Sequence, residues 1–200
     1  MVLSESDRRK MDETPDVRFY DRPRFVTHAD DGFLGRLTEL YREEMNPGDR
    51  VLDAMSSHVS HLPDYDFGRV VGHGMNEMEL SANERLDEYF LRDFNSEGTL
   101  PLEDDSFDVV CCALSVQYLQ YPGRVFGGFG RVLSPDGKVI VSFTNRMFPN
   151  KAVRVWRESS MSERLDLVER YLKEAGVDEA RGIAERPESD PFCAVVGERR

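Results

Sequence analysis

The side chains able to move a proton or hold a ligand crowd into a few short segments of this 200-residue chain. Its four histidines are His28, His58, His61 and His73. An imidazole titrates near neutrality, so His28 or His58 can act as a general acid or base. His58 and His61, three residues apart, could share a metal ion with Asp53 or Asp93 completing the ligands, which would suit a metal-assisted hydrolase or lyase. No compact ligand motif backs that use, and the sequence predicts no metal site. Ser56, Ser57, Ser60, Asn76, Asn95, Ser115 and Gln117 offer hydrogen bonds to a ligand or, equally, cap their own loops. Asp53 differs, because it directly follows an apolar run, where a carboxylate without donors would be costly. Gly127-Gly128 and Gly130 follow no strand and precede no Gly-Lys-Ser/Thr, so they predict close helix packing rather than a phosphate loop.

The elements that must position these groups alternate along the chain. Phe33, Leu34, Leu37, Leu40 and Tyr41 recur at helical spacing within 25–45, and Asn46-Pro47-Gly48 stops that helix. Arg50 to Ala54, Gly68 to Gly72, Tyr89 to Asp93, Phe107 to Ala113 and Lys138 to Phe143 read as five strands, the first buried and the fourth more deeply so. The turn Ser134-Pro135-Asp136-Gly137 precedes the fifth. Helices are predicted over Asn76 to Glu84, with Asn76 as N-cap and Glu79 at capping-box spacing, over Pro122 to Leu133, and over Met161 to Ala175, closed by Gly176. Val177 to Ala184 and Phe192 to Gly197 are the sixth and seventh strands, too close for another long crossover. The pattern predicts an α/β, three-layer, Rossmann-like sheet of seven mostly parallel strands, with an antiparallel hairpin at its C-terminal end. Residues 1–16 are polar and predicted to be flexible, residues 17–200 form one domain, and 17–45 make its N-terminal cap and helix. In such a sheet ligands lie beyond the C-terminal strand ends, which here are Asp53 to His61, Gly72 to Asn76, Asp93 to Asn95 and Ala113 to Tyr118.

Composition narrows the partners. The formal charge is −12, and twenty-two arginines accompany only four lysines, Lys10, Lys138, Lys151 and Lys173. Such a surface repels nucleic-acid phosphates and anionic lipid, and Arg8-Arg9-Lys10 is too small a cluster to reverse that. An acidic surplus with scarce lysine fits a cytoplasmic, halophilic protein whose self-repulsion is screened by salt. Cys111, Cys112 and Cys193 are too few and badly spaced for a disulfide framework, so a reducing compartment is expected. The charged start of the chain lacks an apolar signal-peptide core, and no stretch approaches 18 apolar residues, so neither export nor membrane spanning is expected.

Several ordered segments resemble class I S-adenosylmethionine-dependent methyltransferases of the small type-11 kind. They are Arg50-Val51-Leu52-Asp53, Val70-Val71-Gly72, Asp93, Leu100-Pro101-Leu102 with Asp105 to Val110, and Arg131-Val132-Leu133-Ser134-Pro135-Asp136-Gly137. The resemblance spans about residues 45 to 197. It narrows to a subgroup of unassigned substrate in which Ser56-Ser57-His58-Val59-Ser60-His61-Leu62-Pro63 follows the first strand. Two departures accompany it. The loop after Asp53 has no glycine, although glycine there permits close approach to a ligand. The acidic residue that such proteins use for the cofactor ribose falls at Gly74.

The resemblance implies S-adenosylmethionine as cofactor and methyl transfer to an unidentified small molecule. By it, Asp53 and the amides of Ser56, Ser57 and His58 would meet the methionyl end. Gly74, Met75 and Asn76 would lie by the ribose, with Asn76 or Glu77 replacing the missing acid. Asp93 would accept from adenine N6 with Phe94 beside the ring, and Ser115 and Gln117 would lie by the transferring methyl. His28, His58 and Gln117 are the candidate catalytic residues. Tyr20, Arg24, His28, Gln117, Tyr118, Asn145 and Arg146 are the candidate acceptor contacts, although Arg24 and Phe25 could equally be an ion pair and plain core. Trp156 could complete a wall or pack a helix. The other readings are a non-catalytic descendant that binds a ligand or partner, and the metal-assisted enzyme above.

Overall fold

A computed structural model of the chain describes residues 2–177, 179–186 and 190–199. Seven strands form one sheet: β1 (Arg50–Asp53), β2 (Arg69–Gly74), β3 (Glu88–Leu91), β4 (Phe107–Ala113), β5 (Leu133–Phe143), β6 (Ala180–Glu185) and β7 (Phe192–Glu198). Their order is β3-β2-β1-β4-β5-β7-β6. The first five are parallel, and β7 runs antiparallel to both β5 and β6. This is the sheet that the sequence predicts. Strand order reverses between β1 and β4, and a crevice opens at such a point.

Alternation along the strands builds the two faces. Val51, Val70, Val109 and Ile140 bury against α2 (Asp31–Glu44), whose Phe33, Leu37, Leu40 and Tyr41 form its apolar stripe. Leu52, Val71, Val110 and Val141 face the other way. There they meet α4 (Pro122–Val132) through Val125, Phe126 and Phe129, and α6 (Met161–Glu174) through Leu167, Val168, Tyr171 and Leu172. A Cβ on Gly130 would run into the Ala175 carbonyl, so that glycine is what lets α4 and α6 close together. Gly176, at φ +76°, ends α6 as expected. Trp156, on the short helix α5 (Arg154–Glu158), is fully buried against Phe143 and belongs to the core.

Several boundaries differ from the sequence reading. Helix α2 begins at Asp31, because the Asp30 carboxylate caps the Phe33 amide and the preceding ten residues run as a loop. The Ser134–Gly137 turn sits inside β5 as an irregularity, with Leu133 paired to Phe107 before pairing resumes at Lys138 and Val109. A one-turn helix, α1 (Asp16–Tyr20), and a 3-10 turn at Val116–Tyr118 join the expected elements. Asn76 does cap α3 (Glu77–Ser81), accepting from the Glu79 amide. The Glu79 carboxylate, however, turns away from that box, and the completed capping box is Ser160 with Glu163 on α6. The expected sixth strand includes Asp178, and the link Glu185 to Pro191 includes residues 187–189; these lie outside the described residues.

Residues 2–16, expected to be flexible, pack against the body of the protein. Leu3 is buried in the core, the Asp12 amide donates to Asn150 O, and the Arg154 amide donates to Arg9 O. The Lys10 ammonium and the Asp16 carboxylate form a buried pair, and Lys151, also buried, lies 3.2 Å from Asp12 and 3.4 Å from Asp16. Charge masked this docking, since a polar segment without apolar periodicity reads as solvated. No helix among the described residues is long and apolar enough to cross a membrane.

Candidate functional site

The crevice beyond β1, β2, β3 and β4 is a cleft of about 1200 Å³ counted out to its open mouth. Its floor starts where β1 ends. Met55 adopts φ +59°, a left-handed turn uncommon for a side-chain-bearing residue, and sends the chain back along β2. There the Met55 amide donates to His73 Nδ1 (3.0 Å) and the Ser56 amide to His73 O (2.7 Å). His73 Nδ1 is therefore the acceptor, and Nε2 carries the proton that bonds Arg92 O at 2.9 Å. Burial pushes the His73 pKa down to about 4, with the Arg92 charge adding to the fall and the bond to Arg92 O opposing it. The ring stacks on Phe94 with centroids 3.6 Å apart and planes 11° apart. His73 thus ties together the ends of β1, β2 and β3 as a neutral side chain.

Asp53 is 7 % exposed and takes hydroxyl hydrogen bonds from Ser56 (2.6 Å) and Ser60 (2.5 Å). Burial raises its pKa, and these two hydroxyls oppose the rise. Asn83 braces the same loop, donating to Ser57 O and Ser60 Oγ at 2.9 Å each. At the facing strand end Gly74 has no room for a side chain. A Cβ there would lie 2.9 Å from Ser56 O and 3.1 Å from a Leu80 methyl. Asn76 is spent on structure, donating from Nδ2 to Tyr20 O and Asp21 O while Oδ1 caps α3. Glu77 is exposed. The carboxylate that α3 brings to the cleft wall is Glu79, with one oxygen on the Arg24 amide and the other on Ser57 Oγ, both at 2.7 Å.

At the β3 end, Asp93 caps the following turn through the Asn95 amide (2.9 Å), leaving its second oxygen without a partner among the described residues. Asn95 links Asp16, Tyr118 O and the Gln120 amide, so the docked N-terminal segment reaches the cleft through Asp16. Ser115, buried, lies 3.4 Å from Cys112 Sγ.

A side cavity opens beside the cleft and shares Thr27, His28, Leu114, Tyr118 and Phe148 with it. His28 meets Phe148 edge-on at 5.4 Å, and burial lowers its pKa, with the Arg24 and His58 charges adding to the fall and Glu79 opposing it. Burial raises the Tyr118 pKa, while the Phe148 amide and the Gln117 amide oppose the rise.

Of the residues singled out in the sequence, Asp53, Ser56, Ser57, His58, Gly74, Met75, Asn76, Asp93, Phe94 and Ser115 all line the one cleft, together with Tyr20, His28 and Tyr118. Gln117 and Arg146 line the side cavity instead. Arg24 and Asn145 line neither. The Arg24 guanidinium lies 4.3 Å from the Phe19 ring and donates to Phe19 O, and Asn145 is exposed. Phe25 is also exposed, edge-on to His58 at 5.5 Å, and so is not core. Sequence reasoning missed Glu79, because its capping-box spacing explained it away, and Asp16, because it lies in the segment read as flexible. The histidines do not converge on a metal. Both His73 nitrogens are engaged, and among the described residues no three His, Cys, Asp or Glu side chains are grouped to hold an ion.

Residues 56–141 match the family model of the methyltransferase domain. No curated protein matches the chain. Among solved structures it is similar to the [4+2]-cyclase SpnF, at 16 % identity over 92 % of this chain and 90 % of that one, with a TM-score of 0.62. Phosphoethanolamine N-methyltransferase 2 of Haemonchus contortus, in complex with S-adenosyl-L-methionine, is similar at 14 % identity over 82 % of this chain and 52 % of that one (TM-score 0.59). A chain from the complex of the Haloferax volcanii Trm112 methyltransferase activator with a putative methyltransferase is similar at 16 % identity, over 84 % and 94 % (TM-score 0.54). At such identities the likeness establishes the fold.

Proposed function

We propose, from the methyltransferase-like domain that this chain carries, that it transfers a methyl group from S-adenosylmethionine to a small-molecule acceptor. The observation that carries the reading is the convergence of Asp53, Glu79, Asp93 and Phe94 on one cleft at the point where strand order reverses. The donor set suits the cofactor. Asp93 has an oxygen to accept from an exocyclic amine, with the Phe94 ring beside it. Glu79 is the carboxylate we assign to the ribose hydroxyls in place of an acid at Gly74. Asp53 and the amides of Ser56, Ser57 and His58 would meet the methionyl end, and Ser115 would sit near the reacting methyl.

Bound S-adenosylmethionine would supply an electrophilic methyl on a sulfonium. The chain's own residues would then align the acceptor and exclude water, which carries most of the rate in such transfers. His28, held neutral by burial and standing between the cleft and the side cavity, would take the acceptor's proton. His58, on the opposite loop, is the alternative base. Isothermal titration of the full chain with S-adenosylmethionine and S-adenosylhomocysteine, in high salt, tests the proposal. Saturable binding of both is expected. No heat and no thermal shift at millimolar concentration would refute it.

A further inference from the structure

The side cavity, about 560 Å³ to its open mouth, holds an unpaired polar group. Gln117 is 3 % exposed there, and its Nε2 donates to Leu114 O at 2.8 Å. A carbonyl can only accept, so that bond fixes which end of the amide is nitrogen. The other end, Oε1, is buried and has no hydrogen-bond partner among the described residues. Leu114 itself sits at φ +56°, so a strained backbone presents the carbonyl that holds the amide in this orientation. A buried acceptor without a donor is costly, and a ligand O–H or N–H would satisfy it.

The cavity's charge limits what that ligand can be. Its charged wall residue is Arg146, and Arg146 Nε is bonded to Asp190 at 2.9 Å, which cancels it locally. No carboxylate among the described residues lines the cavity. An ammonium would therefore meet no carboxylate in the cavity wall. The wall shared with the cleft is flat and aromatic, with Tyr118 and Phe148 stacked at 6.1 Å and 29°.

We infer that the side cavity takes the methyl acceptor as an uncharged ring bearing two hydroxyls, one donating to Gln117 Oε1 and the other presented to His28. The inference rests on the methyltransferase reading for the word acceptor. In the transfer the O–CH3 bond forms as the S–CH3 bond of the sulfonium donor breaks, the electron pair leaves on sulfur, and the hydroxyl proton passes to His28. Gln117 acts on recognition and leaves the proton alone.

Resorcinol, 1,3-dimethoxybenzene and benzylamine, titrated separately into the full chain, test this. The first carries two hydroxyls, the second the same ring without donors, and the third an ammonium. An unpaired buried acceptor of this kind implies a preference of about tenfold or more for resorcinol over the dimethoxy analogue, with benzylamine weakest. Gln117→Leu should bring resorcinol and dimethoxybenzene to within about threefold while the melting temperature is kept, and Gln117→Met serves if the leucine variant does not fold. Equal binding of dimethoxybenzene or benzylamine by the wild-type chain overturns the inference, as does a hydroxyl preference that survives in both variants. S-adenosylhomocysteine is titrated in parallel. Its failure to bind beside an intact, Gln117-dependent preference would refute methyl transfer and retain the cavity's recognition chemistry.

Discussion

The substitution His73→Gln tests whether a neutral imidazole is what holds the strand ends together. In the folded chain burial brings the His73 pKa to about 4, against 6.5 for the free side chain. The folded pKa is depressed, so between those values the unfolded chain binds more protons, and stability must fall as pH falls. At 1.36 kcal/mol per unit, the gap corresponds to about 3 kcal/mol in all, of which about 2 kcal/mol is lost by pH 5. A glutamine amide in place of the imidazole keeps one acceptor for the Met55 amide and one donor for Arg92 O but has no proton to gain. Equilibrium urea unfolding of both chains between pH 7.5 and 4.5 should therefore give wild type the steeper loss, by about 2 kcal/mol at pH 5, whatever the difference at pH 7.5. His61, also brought to about 4 by burial and the His58 charge, contributes a similar slope to both chains and cancels. Parallel pH profiles would refute the argument, because they would mean that His73 is protonated or solvated in the fold.

Three more outcomes follow from the cleft. Gly74→Ala should cost about 1–3 kcal/mol by forcing Ser56 O and Leu80 aside, read in the melting temperature. Gly35→Ala, on the open face of α2, should be neutral or stabilising, and equal losses in the two would defeat the close-approach argument. Asp93→Ala should weaken S-adenosylhomocysteine by about 10- to 150-fold relative to Asp64→Ala, since it removes a charge-assisted hydrogen bond of about 1.5–3 kcal/mol. Loss of stability with affinity intact would mean that Asp93 only caps its turn. Lys10→Met should destabilise by about 3 kcal/mol, the low end for breaking a buried pair, because Lys151 and Asn95 still face Asp16. A urea midpoint indistinguishable from wild type would mean that the N-terminal segment does not dock.

The strands were legible where apolar runs are bounded by turns. Phe107–Ala113 emerges at its predicted bounds because it is a central parallel strand buried on both faces. Helix α6 was legible for the opposite reason, a clean apolar stripe ending at a glycine. Segments ordered by charge were not legible. Lys10, Asp16 and Lys151 bury one another with no periodicity to betray them, and residues 25–30, read as the start of the helix, lie before the first residue of its apolar stripe and run as a loop up to the Asp30 cap. The cleft's polar residues could be gathered from the strand ends alone, yet the direction each side chain takes depends on backbone turns that sequence does not announce. Met55 and Leu114 occupy left-handed conformations without being glycine. One turn delivers the loop to His73 and the other orients Gln117.

The two departures from the usual methyltransferase pattern are one structural exchange. Once Met55 turns left-handed, Ser56 is drawn onto β2 by its amide bond to His73 O, and its own carbonyl then occupies the space beside residue 74. A side chain at 74 would crowd that path, pressing on Ser56 O and the Leu80 methyls, and a glycine at the end of the neighbouring strand relieves it. The same path carries Ser56 and Ser60 onto Oδ2 of Asp53, which offsets part of the cost of burying that carboxylate and leaves Oδ1 without a partner among the described residues. With a glycine at 74 and Asn76 committed to the α3 cap, the carboxylate that α3 brings to the wall is Glu79, already bonded to Ser57 on the exchanged loop. Loop and acid are therefore coupled. A ligand hydroxyl would share the Glu79 carboxylate with Ser57 Oγ, since each carboxylate oxygen can accept more than one hydrogen bond, so ligand and loop meet on the same group.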